Sequence, residues 1–199
     1  MNRRSFSALI PVALLPALAF GQLSVSTSQS PSALVQDVLL GGGVTVSNIT
    51  FNGQPANNAN EQAASFNSAN ANVGVSSGIL LATGDAAVAM GPNNNSGAYM
   101  GGYSGYADAD LASLAGVAVF DAAVLEFDFS CPTTNVISFQ YVFTSEEYDE
   151  WVYTQYNDVF AFILNGQNIA LIPTTTTPVA INNVNCDNPF DPLGGTNCS

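Results

Sequence analysis

The stretch VISFQYVFTSEEYDEWVYTQYNDVFAFIL, Val136 to Leu164, decides the fold. One face of its opening VISFQYVF segment is apolar or aromatic and carries Ile137, Phe139, Tyr141 and Phe143. Strict alternation of this kind is typical of a half-buried β-strand. The closing VFAFIL segment is apolar on both faces, which predicts a central strand. The pattern therefore predicts two strands separated by an acidic turn, which we define as residues 146–150.

Strand patterns continue on both sides of this stretch. The AVLEFDF segment alternates, with Leu125 and Phe129 on one face. Asn165-Gly166 predicts a tight hairpin into the next strand, and Asn52-Gly53 predicts a turn after a strand over residues 44–51. Strands joined by hairpins favour an antiparallel β-sandwich or jelly-roll-like fold, mainly β. An α+β layer is the alternative.

Two helices interrupt the strands. Residues 31–40 are predicted to be helical, with Ser30 as N-cap, Pro31 at the first helical position and glycines at the end. A second, short helix is predicted near residues 108–114. In the α+β alternative, the 31–40 helix packs across one sheet.

The first 21 residues have the three parts of a secretory signal peptide. Arg3 and Arg4 are followed by a short apolar run and by small residues at Ala19 and Gly21. The run is too short to cross a bilayer comfortably, and a non-cleaved anchor is the alternative. We therefore expect residues 22–199 to form a single exported domain, extracellular or at the bacterial cell surface, with no transmembrane segment.

The charge of the chain excludes several classes of function. The sequence has 15 acidic residues, 2 basic residues and no histidine, so its net charge is −13. Because Arg3 and Arg4 are the only basic residues, the mature chain has no cationic side chain. Nucleic acid is excluded as a partner, since its phosphates would be repelled. Catalytic triads, Schiff-base lysines and histidine-liganded zinc are excluded too.

The carboxylates that remain predict a calcium site. Calcium binds six to eight oxygen ligands, which carboxylates and amides supply. The candidate ligands are Glu146, Glu147, Asp149, Glu150, Asn157, Asp158, Asp108 and Asp110. The alternative is a turn neutralised by water and salt alone, because two carboxylates ~6 Å apart in water repel by only ~0.7 kcal/mol. No segment has the spacing of an EF-hand.

A second hypothesis is a carbohydrate-binding or carbohydrate-active domain. Paired carboxylates hydrolyse glycosides, and Glu126, Asp128 and Glu146 are the candidate acids for a glycoside hydrolase. Aromatic side chains that could stack on sugars are Tyr99, Tyr103, Tyr106, Trp151 and Tyr153.

Two of the three cysteines, Cys186 and Cys198, lie close together in the sequence, and Cys131 lies far from both. In an oxidising compartment, Cys186 and Cys198 are predicted to close a small loop by a disulfide. Cys131 then remains either a free thiol or a residue whose partner lies beyond Ser199.

Six segments, in order, carry a family resemblance. They are LVQDVLLGGGVTVSNITFNG, GILLATGDAAVAMGPN, DADL, DAAVLEFDF, ISFQYVFTSEEYDEWV and YNDVFAFILNGQNIALIP. Together they resemble the choice-of-anchor L domain family, over Leu34 to Cys198. The resemblance implies an exported bacterial surface module, found in proteins with various sorting or anchoring signals, including type IX secretion and PEP-CTERM types. It implies no catalytic activity.

The sequence departs from the family pattern at its end. Family members continue beyond the point that corresponds to Ser199, so we expect a domain truncated at its C-terminus and without a C-terminal anchor. The combined expectation is a non-enzymatic module for adhesion or extracellular matrix, stabilised by calcium. Its partner would be an extracellular protein or a glycan.

Overall fold

A computed structural model describes residues 23–40, 43–68, 71–92, 105–132, 138–148 and 151–185. Several predictions fall outside these ranges. They concern the signal peptide over residues 1–21 and the side chains of Tyr99, Tyr103, Asp149, Glu150, Cys186 and Cys198. The pairing of Cys186 with Cys198 and the removal of residues 1–21 stay predictions.

The described residues form short antiparallel strands and two short α-helices. The strands are β1 (Ser24–Ser26), β2 (Thr45–Phe51), β3 (Gln54–Pro55), β4 (Ala63–Asn67), β5 (Ser77–Leu81), β6 (Leu125–Ser130), β7 (Val159–Phe160), β8 (Ile163–Leu164), β9 (Gln167–Asn168) and β10 (Val179–Ala180). The helices are α1 (Pro31–Ala33), which continues as a π-helix over Leu34–Leu39, and α2 (Ala109–Ala115). A 3₁₀ helix spans Ala86–Met90. The prediction of a mainly β, antiparallel fold is confirmed.

The strands of the described residues form four small sheets. Two have three strands, in the orders β1-β4-β5 and β3-β2-β6, and two have two strands, β7 with β10 and β8 with β9. The helical segment that begins at α1 packs between the two larger sheets. Its Leu34 is fully buried against Phe51 of β2 and Ala63 of β4, and Leu125 of β6 packs on the same cluster. Both larger sheets therefore share one apolar core.

Both helices begin as the sequence predicts. The Ser30 hydroxyl accepts a hydrogen bond from the Ala33 N–H at 3.2 Å, and Pro31 opens the helix. Asp108 caps α2, because its Oδ1 accepts from the Leu111 N–H at 2.9 Å. Gly116 ends α2 in the left-handed conformation, with φ 72°.

The Asn165-Gly166 hairpin is confirmed. It joins β8 to β9, and both turn residues have positive φ, 50° at Asn165 and 81° at Gly166. This is the turn that the right-handed twist of paired strands favours. A Cβ at Gly166 would meet no atom within 4 Å, so only backbone strain opposes a larger residue there.

Gly166→Ala should therefore lower the free energy of unfolding by about 1 kcal/mol, because an L-residue with a Cβ is strained at this φ. Urea unfolding of the purified protein measures the change. Gly166→Asn is the control, and it should cost less because asparagine tolerates the left-handed region. Equal costs for the two variants would contradict the strain argument.

Two strand predictions are wrong in detail. Residues 138–143, from the predicted VISFQYVF strand, form no strand; Phe139 instead stacks on Phe162, with ring centroids 4.1 Å apart. The VFAFIL segment is not one central strand, because it divides into β7 and β8. The Asn168 Oδ1 accepts a hydrogen bond from the Phe162 N–H at 3.1 Å. This backbone donor is therefore not available for pairing with a neighbouring strand. Ile163, in β8, is 40% exposed rather than buried.

A membrane-spanning segment is not found in the described ranges. None of the helices there combines the length and the apolar character that crossing a bilayer requires.

Candidate functional site

The acidic turn begins where the aromatic segment 138–143 ends. The Ser145 hydroxyl accepts a hydrogen bond from the Glu147 N–H at 3.0 Å, which starts the turn, and the Glu147 carbonyl accepts from the Trp151 N–H at 3.0 Å, which closes it. The Tyr148 hydroxyl donates to the Val184 carbonyl and so ties the turn to the residues after β10. Backbone groups, the Ser145 hydroxyl and Tyr148 therefore hold the turn, and these contacts do not use the carboxylates of Glu146 and Glu147.

Glu146 and Glu147 each have one carboxylate oxygen that is buried without a partner. Both Oε2 atoms are shielded from solvent, and neither has a hydrogen-bond partner among the described residues. A buried carboxylate oxygen without a donor is costly, more so when the group is ionised. Binding of a proton or a cation at these two oxygens would offset this cost.

Burial is the main cause of the pKa shifts at this site. It raises the pKa of Glu146. Burial, followed by the negative charge of Asp158, raises the pKa of Glu147 to about 7. Both effects disfavour the ionised form of the glutamate. At neutral pH, Glu147 is thus near the midpoint of its titration, where a cation competes with a proton.

Asp158 completes this arrangement from the start of β7. Burial raises its pKa, and a hydrogen bond from the Thr83 side chain opposes that shift. Asp158 as a whole residue is exposed, whereas Glu147 has a buried carboxylate oxygen without a partner, so Glu147 is the stronger candidate ligand. The charge of Asp158 is close enough to raise the pKa of Glu147, so the structure places these two predicted ligands near each other.

Thr83 and Gln62 support the site, and the sequence did not single out either of them. The side chain of Gln62 is only 1% exposed, and its Nε2 donates to the carbonyls of Thr83, at 3.1 Å, and Asp121, at 2.8 Å. Its Oε1 accepts from Asn52 Nδ2 at 3.4 Å. Gln62 thus fixes the loop from which the Thr83 hydroxyl reaches Asp158. A glutamine among polar neighbours carries no sequence pattern that marks it as buried.

Asn157, one of the predicted ligands, has a structural role in the fold. Its Oδ1 accepts from the Asn182 N–H at 3.0 Å, and its Nδ2 donates to the Ala115 carbonyl at 3.5 Å. The side chain thereby links the end of α2 to the turn that follows β10. Both ends of its amide are engaged in these contacts.

Asp108 and Asp110 lie at the opposite end of α2 from Asn157. Asp108 is engaged in capping the helix, and Asp110 is exposed in its first turn. The rise of an α-helix places Asp108 about 10 Å from Ala115, the residue that contacts Asn157. Asp110 lines a shallow depression with Ser113, Leu114 and Asn168. We therefore do not place these two aspartates with the acidic turn.

No three acidic or cysteine side chains converge as a metal site within the described ranges. Asp149 and Glu150, which belong to the acidic turn, are outside those ranges. A complete calcium site would draw further oxygens from them or from water. The prediction of calcium as the cofactor stays a prediction.

Two of the three carboxylates proposed for glycoside hydrolysis, Glu126 and Asp128, have partners on a neighbouring strand. Asp128 Oδ2 accepts from Asn48 Nδ2 at 2.6 Å, and Glu126 Oε2 accepts from the Thr50 hydroxyl at 3.3 Å. Both pairs bridge β6 to β2 on an exposed face. These contacts are typical of cross-strand pairs that stabilise a sheet.

Cys131 follows β6 and is half-buried as a free thiol. Its sulfur lies 3.7 Å from the carbonyl oxygen of Gly43, which it faces as a weak donor.

Comparison with known proteins identifies the family. The family model described as the choice-of-anchor L domain matches residues 24–199. No match to a curated protein or to a solved structure was found. The matched range contains all the helices and strands of the described residues, from β1 to β10, together with the acidic turn. The chain therefore belongs to the choice-of-anchor L domain family.

Proposed function

We propose that this protein is an exported, non-enzymatic surface module for adhesion or extracellular matrix, and that a calcium ion bound at its acidic turn stabilises it. Membership of the choice-of-anchor L family supports a surface-associated, extracellular role. The observation that carries the calcium proposal is the pair of buried, unpartnered carboxylate oxygens of Glu146 and Glu147.

Charge balance supports a metal ion as the group that neutralises the turn. The only basic residues of the sequence, Arg3 and Arg4, lie in the predicted signal peptide. A mature chain without them has no side chain that could form an ion pair with Glu147 or Asp158. Calcium favours oxygen ligands in flexible arrangements and is abundant outside cells, so it fits this donor set.

A binding role is favoured over a catalytic one. A glycoside hydrolase needs two carboxyl groups that face each other across a cleft, one of them free to move a proton. Glu126 and Asp128 instead accept hydrogen bonds from Thr50 and Asn48 on an exposed sheet face. We therefore propose no reaction for this module.

Calcium should raise the melting temperature of the mature protein at pH 7.5. An ion that binds only the folded state adds about 1.4 kcal/mol when its free concentration is about ten times the Kd. For an extracellular module, that Kd is on the order of 10⁻⁴ to 10⁻³ M. Differential scanning fluorimetry in millimolar calcium chloride, against sodium chloride of equal ionic strength, measures the effect and controls for screening. A shift that sodium reproduces in full would contradict the proposal.

A further inference from the structure

The segment that follows the acidic turn presents three aromatic side chains to solvent. We call residues 151–156 the aromatic loop. Trp151 is 38% exposed, Tyr153 48% and Tyr156 47%. Val152, between the first two, is only 1% exposed and anchors the loop to the protein. Exposed aromatic side chains that are grouped on a fixed loop, unlike scattered ones, are typical of a binding surface.

The backbone of this loop is held in an unfavourable conformation. Tyr153 has φ 61°, in the left-handed region that bulky residues rarely adopt. The Asn182 Oδ1 accepts its N–H at 2.6 Å, which holds that conformation in place. A tyrosine kept in such a conformation at the surface, where asparagine or glycine would fit without strain, indicates that its ring serves a purpose other than folding.

Hydrogen bonds within the loop preorganise the rings. The Thr154 hydroxyl donates to the Trp151 carbonyl at 2.7 Å and accepts from the Tyr156 N–H at 3.2 Å. The Trp151 and Tyr156 rings meet edge to face, with centroids 5.3 Å apart and planes at 85°. The two rings therefore form a corner rather than a flat platform. Preorganisation of this kind lowers the entropy that binding must overcome.

We propose that the aromatic loop binds a single chain of a neutral saccharide. A sugar ring offers an apolar C–H face that packs on an aromatic ring, and hydroxyl groups at its edge that bond to neutral polar side chains. In this proposal one sugar unit packs against the Trp151 and Tyr156 rings, and the Tyr153 ring supplies a further contact. An anionic saccharide is disfavoured, because the sequence has a net charge of −13 and the acidic turn adjoins the loop.

This proposal rests on the proposed surface role but not on calcium, since it concerns other side chains. The two have separate readouts. The calcium response is predicted to depend on Glu147, and the saccharide response on Tyr153 and Trp151. Either response can therefore fail without the other.

The protein offers a direct probe, because Trp151 is its only tryptophan. Tryptophan fluorescence is titrated with three neutral oligosaccharides, cellohexaose, xylohexaose and mannohexaose, and with an oligogalacturonate as the anionic comparison. We expect a saturable change with at least one neutral oligosaccharide and none with the oligogalacturonate. No saturable change with any neutral oligosaccharide, or a change with the anionic one alone, would overturn the proposal.

Variants distinguish a side chain that contacts the saccharide from one that only stabilises the fold. Tyr153→Asn removes the ring but suits the left-handed backbone, so it should weaken binding about tenfold without lowering the melting temperature. Phe120→Ala is the matched control, because Phe120 is 71% exposed and lies outside the loop, and it should bind like the wild type. Equal binding by Tyr153→Asn and the wild type would overturn the proposal, as would equal losses in Tyr153→Asn and Phe120→Ala.

Discussion

Replacing Gln62 by leucine should lower the free energy of unfolding by about 2–4 kcal/mol. Leucine is close in volume to glutamine but cannot form its hydrogen bonds. The carbonyls of Thr83 and Asp121 would each lose a donor at this 1%-exposed position, and the Asn52 amide would lose an acceptor. Domains of this kind are stable by only about 5–15 kcal/mol, so the loss is large.

Urea unfolding, followed by circular dichroism, measures this change. Gln54→Leu is the matched control, because Gln54 lies exposed in β3, and it should change the stability by no more than about 0.5 kcal/mol. If Gln62→Leu does not fold, Gln62→Asn tests the same contacts. It keeps the amide group on a shorter side chain, so it should lose only part of the hydrogen bonding. Equal effects at positions 62 and 54 would contradict the role given to Gln62.

The second large effect is a loss of stability with rising pH when calcium is chelated. Burial, followed by the negative charge of Asp158, raises the pKa of Glu147 from its ordinary value of 4.5 to about 7 in the folded protein. Below pH 4.5 both states hold the proton. Between these values the folded state holds the proton and the unfolded state has lost it, so stability falls as pH rises. Burial raises the pKa values of Glu146 and Asp158 as well.

The loss should be on the order of 1–2 kcal/mol between pH 4.5 and 7.5, after discounting for solvent screening. Chemical unfolding across this range, in a chelator, measures it. Glu147→Gln should flatten the profile, because the amide carries no charge at any of these pH values. A profile of equal slope in the wild type and in Glu147→Gln would show that other groups cause the dependence.

Calcium should reverse this trend, because it replaces the proton that Glu147 loses. Its stabilising effect should be greatest above pH 7 and should vanish near pH 4.5, where Glu147 is protonated. Melting temperatures with and without calcium, taken across the same pH range, provide the measurement. A calcium effect that is independent of pH would place the ion away from Glu147.

The local features of the fold followed from residue types with a direct steric or hydrogen-bonding meaning. Ser30 and Asp108 cap their helices because their side-chain oxygens accept backbone N–H groups at the first turn. Asn165-Gly166 forms its hairpin because both residues tolerate positive φ. Such effects act over a few residues, so the sequence alone reveals them.

The long-range pairing of the strands was harder to predict. The alternation in VISFQYVF correctly indicated a segment with a row of aromatic side chains, but these rings contact Phe160 and Phe162 without forming a strand in residues 138–143. Periodicity shows which face of a segment is apolar. It does not show which backbone donors a side chain such as Asn168 will take from the ladder.

The candidate site was predictable only in part, because a local sequence pattern shows which residue types cluster but not which contacts the fold gives them. Clustering along the chain indicated Glu146 and Glu147, and the structure adds that one oxygen of each is buried without a partner. Asn157 was predicted only as a ligand, and its links to two backbone segments were missed, because an asparagine side chain that ligates a metal and one that links two backbones look alike in sequence. Thr83 was missed because it lies far from the acidic turn along the chain and reaches Asp158 only through the fold.

Direct calcium binding to the mature protein tests the central claim. Isothermal titration calorimetry at pH 7.5 should show saturable binding with a Kd on the order of 10⁻⁴ to 10⁻³ M. Glu147→Gln should abolish it, whereas Asp110→Asn, which removes one acidic charge from the first turn of α2, should leave it unchanged. Wild-type binding with an equal loss in both variants would indicate a general charge effect. The absence of saturable binding to the wild type would contradict the account.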